Sequence, residues 1–177
     1  MTVVLFAGHR VDEPGRWPPR FPAECEAKAR AAIGSVVRSI AAGAQGALLG
    51  IAGAADGGDI LFHEVCSELG IVSEVCLALP ATEYIRTSVL PSWRDRFQRV
   101  LKSHPVVTLN GGSGDLWLRD HEWQLRRARE RDPQRIVLLA LIEKTEDDIP
   151  GGTSGMVRIA QAGGMQVIPL EVRGICA

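Results

Sequence analysis

Polar residues and glycines follow the first apolar run of the chain, and together they could bind a phosphate group. They come directly after Val3–Ala7 and comprise Gly8, His9, Arg10, Arg16 and Arg20. Guanidinium groups bind phosphate through paired N–H donors, and a glycine at the end of a strand lets a ligand approach the backbone. We therefore expect at least one of these arginines to contact phosphate. The alternative is a polar surface loop in which the arginines pair with Asp12 and Glu13.

A second group of small residues follows the next apolar run, 47–51. Its candidate ligand-binding residues are Gly53, Ala54, Gly57 and Gly58. Small residues leave room for a ligand against the backbone, and the N-terminus of the following helix offers N–H groups to an anion. The alternative is a tight turn in which Asp59 only balances the helix dipole.

A third group directly precedes the last predicted helix. It consists of Gly151, Gly152, Thr153 and Ser154, after Pro150. Two glycines and two hydroxyl side chains at a helix N-terminus are typical of an anion-binding turn. The functional hypothesis depends on this turn and the segment 53–58 meeting at one anionic ligand.

Strands and helices alternate along the whole chain, which indicates how these groups are positioned. Predicted strands are 3–7, 47–51, 71–79, 105–109, 136–142 and 165–170, and helices fall between them, with the helix 82–103 interrupted at Pro91. Continuous apolar strands are typical of a parallel sheet that is covered on both faces. We predict one α/β domain over residues 1–177, Rossmann-like and doubly wound, with a mainly parallel sheet of about six strands and helices on both faces. Such sheets bind ligands beyond the carboxyl ends of the strands, where the strand order reverses.

Composition and missing motifs exclude several classes of protein. The 177 residues carry a formal net charge of −1, which argues against a nucleic-acid binder that relies on a basic surface. Apolar runs are too short for a membrane span, and the first residues do not form a secretory signal. The motifs GxxxxGK[ST], GxGxxG, HExxH and GxSxG are absent, so we expect neither a metal nor a resident cofactor. The four cysteines lack metal-binding spacing, and we interpret them as reduced, mostly buried residues of a cytoplasmic protein.

The other histidines and tryptophans are expected to have structural roles. We interpret His63 and His121 as packed or surface residues of helices, and His104 as a surface residue. Trp117 lies on the apolar side of its helix and is expected in the core. Trp123 falls off that side, so it is exposed, at a subunit interface or part of a stacking surface, and of these we choose the interface.

Three segments taken together resemble the SLOG superfamily of Rossmann-like domains. They are FAGHR in the first strand, AADGGDILFHE after the second strand, and PGGTSGMV before the last helix. The superfamily includes DNA-processing protein A and the lonely-guy phosphoribohydrolases, and the similarity covers nearly the whole chain. The resemblance implies a pocket for a nucleotide or a nucleotide derivative of the ADP-ribose class. It also implies a role in signalling and a homodimer or larger homo-oligomer.

Enzymatic members of this superfamily carry the motif PGGxGTxxE, whose glutamate takes part in N-glycosidic cleavage. In this chain Ser154 and Gly155 replace the glycine and threonine, and Arg158 replaces the glutamate. An arginine stays protonated and cannot act as a carboxylate acid or base. If the chain is an enzyme, Asp59 and Glu64 are the candidate catalytic residues, and a solvated surface or a salt bridge is the alternative for Glu64.

The residues thus support three hypotheses about function. The first is a sensor module that binds a nucleotide or nucleotide sugar, without nucleic acid or membrane as a partner. The second is an enzyme that cleaves the N-glycosidic bond of a nucleoside monophosphate. The third is a protein-interaction domain with a vestigial pocket, in which Ile51 or Tyr84 fills the crevice.

Overall fold

The computed structural model describes residues 1–143 and 152–177, and in these ranges the chain forms six strands and seven helices. They are β1 (Thr2–Gly8), α1 (Glu26–Gly43), β2 (Leu48–Ala52), α2 (Gly58–Glu68), β3 (Val72–Leu77), α3 (Ala81–Ser88), α4 (Arg94–Ser103), β4 (Val106–Thr108), α5 (Leu116–Arg131), β5 (Ile136–Ile142), α6 (Thr153–Ala162), β6 (Gln166–Glu171) and α7 (Val172–Cys176). The predicted break at Pro91 is present, because α3 ends at Ser88 and the residue before a proline is extended. Helix α7 was not predicted.

The six strands form one parallel sheet in the order β4-β3-β2-β1-β5-β6. The chain winds from β1 towards β4 in one direction and from β5 towards β6 in the other. The strand order therefore reverses between β1 and β5, which pair along their whole lengths. This is a doubly wound, Rossmann-like sheet, and the predicted fold class is confirmed.

Helices cover both faces of the sheet. The side chains of β1 alternate between the faces, as a strand requires: Val4 and Phe6 pack with α1 to α4 and α7, and Val3 and Leu5 pack with α5 and α6. The first cluster is the larger one. The long connection through α5 carries the chain from the edge strand β4 back to the centre, so α5 crosses the sheet beside the point of reversal.

One prediction about the cysteines is wrong. Cys25 and Cys176 form a disulfide, with their Cα atoms 5.4 Å apart, whereas Cys66 and Cys76 are free and buried as expected. The two bonded residues are 151 positions apart in sequence, and they meet because α7 packs against the start of α1. Lys28 strengthens this junction by donating hydrogen bonds to the carbonyl oxygens of Cys176 and Ala177, at 3.2 and 3.0 Å.

Among the described helices, none has the length and apolar character needed to cross a membrane.

Candidate functional site

A cavity of about 840 Å³ opens at the carboxyl ends of β1 and β2, beside the reversal between β1 and β5. This is where doubly wound sheets bind their ligands. Both glycine turns border it, the first through Gly53 and the second through Gly152 and Thr153. The two turns therefore meet at one cavity. Gly151, the remaining glycine of the second turn, lies outside the described residues.

The glycines at the start of α2 mainly allow close packing against the end of β1. Gly57 has a φ of +100°, and a Cβ atom on Gly58 would lie 2.9 Å from the Cα atom of Gly8. The N–H of Gly58 donates to the carbonyl of His9 at 3.0 Å. That N–H is therefore used within the protein. Gly8 borders the cavity, whereas Gly57 and Gly58 are not among the residues that line it, and their contact with a ligand stays a prediction.

Arg10 is already paired with a buried carboxylate. Its Nε and Nη2 atoms donate to Oδ1 and Oδ2 of Asp56 at 2.7 and 3.0 Å, and Nη1 donates to the carbonyl of Thr87 at 3.3 Å. Asp56 is fully buried and also accepts the N–H of Leu90 at 2.6 Å. Arg10 borders the cavity, but its guanidinium joins the end of β1 to the segment after β2 and to α3. This explains its position without a ligand.

The segment 12–21, which we call the rim loop, presents basic side chains to the cavity. Its ends are tied by Asp12, whose Oδ2 accepts the N–H groups of Arg20 and Phe21 at 2.8 and 3.0 Å. Phe21 is fully buried and anchors this closure. Arg16 and Arg20 border the cavity, and Arg16 lies 3.4 Å from the Oδ1 atom of Asp12. Trp17, at the tip of the loop, also borders the cavity and is 87% exposed.

His9 is a neutral residue at the base of the cavity. Its Nε2 atom accepts the backbone N–H of Glu143 at 2.9 Å, so the proton of the neutral imidazole is on Nδ1. Burial, together with the charges of Arg20 and Arg16, lowers the pKa of His9 to about 4. His9 therefore carries no charge at neutral pH, and it does not add to the positive charge of the rim loop.

Two further residues of the cavity wall, Asp59 and Asp120, carry carboxyl groups. Asp59 accepts the N–H of Ala55 at 3.2 Å, and burial and the nearby charges of Asp120 and Asp56 raise its pKa to about 7. Asp120, on α5, is buried, and burial raises its pKa to about 7 as well. Gln124 donates to Oδ2 of Asp120 at 2.8 Å, whereas Oδ1 has no partner among the described residues. We call Asp59 and Asp120 the carboxyl pair.

The sequence analysis did not identify Asp120 as a site residue. A signal was present, because Asp120 and Gln124 are four residues apart and lie next to Trp117 and His121 on the sheet-facing side of α5. A polar pair on the buried side of a helix is unusual and indicates a site.

Aromatic side chains complete the wall near the carboxyl pair. The Tyr84 hydroxyl accepts the N–H of Ala54 at 3.3 Å, and burial raises the pKa of Tyr84 well above its ordinary value. The ring of Trp117 meets Tyr84 edge to face at 6.4 Å. Trp117, expected in the core, is half-buried and borders the cavity. Tyr84 lines the cavity without filling it, and Ile51 packs in the core on the other face.

The carbonyl of Gly53 is held by a chain of hydrogen bonds that reaches the surface. It accepts from Nε2 of His63 at 2.8 Å, and His63 Nδ1 lies 2.8 Å from the hydroxyl of Ser73. That hydroxyl is 3.0 Å from Nδ1 of His104, whose Nε2 lies 2.8 Å from Ser67 Oγ. Because a carbonyl only accepts, His63 donates from Nε2 and accepts at Nδ1. The chain therefore fixes one wall of the cavity.

Several of the remaining predicted site residues lie away from the cavity. Glu64 does not reach it, because both of its carboxylate oxygens accept from Arg96, at 2.8 and 2.7 Å. Ala54 contributes only its N–H to Tyr84, and Ser154 does not border the cavity. No group of three or more His, Cys, Asp or Glu residues within 1–143 and 152–177 could hold a metal ion.

Comparison with known proteins establishes no relationship, since no protein-family model matches the chain and no curated protein is significantly similar to it.

Proposed function

We propose that the chain is a sensor module of the SLOG type, which binds a nucleotide or a nucleotide derivative in the cavity. One observation carries this proposal: one cavity at the reversal of a doubly wound sheet is lined by basic, carboxyl and aromatic side chains. A nucleotide offers a partner to each of them, because its phosphate is anionic, its ribose carries hydroxyl groups and its base is aromatic.

The size and lining of the cavity support this class of ligand. A volume of about 840 Å³ lies within the range of small-molecule sites, which is roughly 300–1,000 Å³. Arg16 and Arg20 can pair with phosphate oxygens. The start of α6 at Thr153 adds the positive end of a helix dipole at the same cavity. Trp17 and Trp117 offer apolar surface to a base.

A binding screen tests this proposal. AMP, ADP-ribose, NAD and cyclic AMP are titrated into the protein by calorimetry, with thermal shift as a second readout. We expect at least one of them to bind at micromolar to millimolar concentration. Arg16→Gln should weaken that binding by about tenfold, and more strongly at low salt. Arg38→Gln, an exposed change on α1 away from the cavity, is the matched control. Absence of binding by all four compounds at millimolar concentration overturns the proposal.

The carboxyl pair supports a second candidate, an N-glycosidase that acts on nucleoside monophosphates. A departing base needs a proton and the sugar needs an activated water, so this chemistry uses an acid and a base. Both members of the pair, Asp59 and Asp120, have a pKa of about 7, which suits both roles near neutral pH. The test incubates the protein with AMP, GMP, CMP or UMP and measures released free base by chromatography. Base release by the wild type that is lost in Asp59→Asn supports this activity. If no base is released while binding persists, the protein is a binding module only.

Location and assembly form the last part of the proposal. The cytoplasmic location expected from the sequence is kept here, although a disulfide such as Cys25–Cys176 is typical of oxidising compartments. Alkylation of thiols in intact cells followed by mass spectrometry decides between the cytoplasm and an oxidising compartment. If Cys25 and Cys176 are found disulfide-bonded in the cell, the result argues against the cytoplasm. A homodimer, with Trp123 at its interface, is tested by light scattering of the purified protein and of Trp123→Ala.

A further inference from the structure

Two groups of residues that line the cavity make different demands on a ligand. The rim loop offers the guanidinium groups of Arg16 and Arg20, which only donate hydrogen bonds. The carboxyl pair offers oxygens that accept hydrogen bonds when ionised. Two carboxyl groups that repel each other also disfavour an anionic group beside them. A ligand that suits both groups has one anionic part and one neutral part with hydrogen-bond donors.

Asp120 has an acceptor atom that none of the described residues satisfies. The residue is only 5% exposed, and its Oδ1 atom has no hydrogen-bond partner within residues 1–143 and 152–177. Leaving a buried acceptor without a partner costs about 1–3 kcal/mol, so most such atoms in proteins are paired. His121, the next residue and another member of the cavity wall, has a buried Nδ1 atom that is also without a partner in the described part of the chain. Two adjacent lining residues with such atoms point to a ligand that supplies their partners.

Hydroxyl groups suit the carboxyl pair better than amino groups do. Burial raises the pKa of both Asp59 and Asp120 to about 7, and the charge of Asp120 adds to the rise for Asp59, so either carboxyl group can hold a proton near neutral pH. A hydroxyl group can donate to an ionised carboxylate and accept from a protonated one, whereas the amino group of a base only donates. Among the parts of a nucleotide, the ribose supplies two neighbouring hydroxyl groups.

We propose that Asp120 and Asp59 form the subsite for the ribose hydroxyl groups of the ligand, with the phosphate directed towards the rim loop. This proposal rests on the proposed nucleotide binding and adds a selectivity to it. The site prefers ribonucleotides to deoxyribonucleotides, because a site built to bond a hydroxyl group rejects an analogue that lacks it.

The experiment compares four nucleotides on the wild-type protein by calorimetry. AMP is the reference, 2′-deoxy-AMP and 3′-deoxy-AMP each lack one hydroxyl group, and IMP lacks the amino group of the base. We expect at least a tenfold loss of affinity for one or both deoxynucleotides and less than a threefold change for IMP. Equal affinity for AMP and both deoxynucleotides overturns the proposal, as does a loss confined to IMP, which would assign the carboxyl pair to the base. Failure of all four to bind rejects nucleotide binding itself and this subsite with it.

A variant connects the selectivity to the carboxyl pair. Asp120→Asn keeps an oxygen for Gln124 but loses the carboxylate, so the ratio of AMP to deoxynucleotide affinity should fall towards one. Glu122→Gln, an exposed change on the same helix, should leave the ratio unchanged. An unchanged ratio in a folded Asp120→Asn variant, checked by circular dichroism, contradicts the role of Asp120. If that variant does not fold, Asp59→Asn is measured in the same way.

Discussion

The backbone N–H of Glu143 donates a hydrogen bond to the Nε2 atom of His9 across 2.9 Å, and this contact joins the carboxyl ends of β1 and β5. The bond crosses the point where the strand order reverses, which is also the base of the cavity. It uses the acceptor nitrogen of His9, whose ring is neutral because burial and the charges of Arg20 and Arg16 lower its pKa. A histidine that the sequence suggested as a phosphate contact thus fixes the architecture of the site.

The first prediction concerns the Arg10–Asp56 ion pair. Arg10→Ala leaves the fully buried Asp56 carboxylate without its cation and should lower the free energy of unfolding by about 2–4 kcal/mol. The loss is smaller than for a completely buried pair because Arg10 itself is partly exposed. Chemical denaturation measures it. Arg10→Lys keeps the charge but not the paired geometry, so its stability should lie between those of the wild type and Arg10→Ala. Arg38→Ala, the control, should change stability by less than about 0.5 kcal/mol. A fully stable Arg10→Ala protein would show that the ion pair contributes little.

The second prediction concerns the glycine contact between β1 and α2. Gly58→Ala would bring a Cβ atom to 2.9 Å from the Cα atom of Gly8, and a backbone atom cannot move away as a side chain can. We expect a loss of about 1–3 kcal/mol, measured as a fall in melting temperature. Gly43→Ala is the control, because nothing lies within 4 Å of a Cβ atom there, and it should be neutral or stabilising. Equal effects of the two changes would contradict the close packing.

The third prediction concerns the pH dependence of stability. The pKa of Asp120 is raised from 3.8 to about 7 in the folded protein, so between these values the folded state holds a proton that the unfolded chain has released. The contribution of Asp120 to stability therefore falls as pH rises through this window. Asparagine does not titrate. The stability of Asp120→Asn relative to wild type should thus increase from pH 5 to pH 8, by about 1–3 kcal/mol.

Wild type and Asp120→Asn must be compared with each other, because other groups change the stability of both proteins with pH in the opposite direction. His9, His63 and His121 have their pKa lowered by burial from 6.5 to about 4, so they reduce stability as pH falls through that window. Denaturation curves of both proteins at pH 5 and pH 8 give the difference directly. A difference that does not vary with pH would mean that Asp120 is ionised throughout.

The fourth prediction concerns the disulfide. Reduction, or the double change Cys25→Ser and Cys176→Ser, should lower the free energy of unfolding by about 2–5 kcal/mol, because the bond closes a long loop and restricts the unfolded chain. Thermal unfolding with and without a reductant measures the effect. Peptide mapping without reductant should recover the two cysteine peptides joined. Identical melting curves under both conditions would contradict the stabilising role of the bond.

The sequence allowed the strands, their parallel arrangement and the location of the cavity to be predicted. Continuous apolar runs such as 136–142 indicate buried parallel strands, and glycines after a strand mark the carboxyl edge. Roles within the site were harder to predict. Arg10 and Arg16 have the same chemistry, and only the fold shows that Arg10 is paired with the buried Asp56.

Contacts between distant segments account for the other errors. Cys25 and Cys176 gave no signal, because spacing along the chain does not show which ends of helices meet in space. Glu64 lies on the same helix as Asp59, but it follows by five residues and points to a different side, where Arg96 binds it. Asp120 was not identified because its role depends on α5 crossing the sheet beside the cavity, which the sequence does not show.

The close approach of Gly8 and Gly58 has a consequence for how the specificity of this protein could change in evolution. Where two main chains touch, no side chain is available whose replacement would enlarge or reshape the cavity. The position of the cavity wall at Gly8 is therefore set by the backbone. Mutations that adapt the protein to a new ligand would therefore accumulate in the rim loop and on α5, whose side chains border the remaining space.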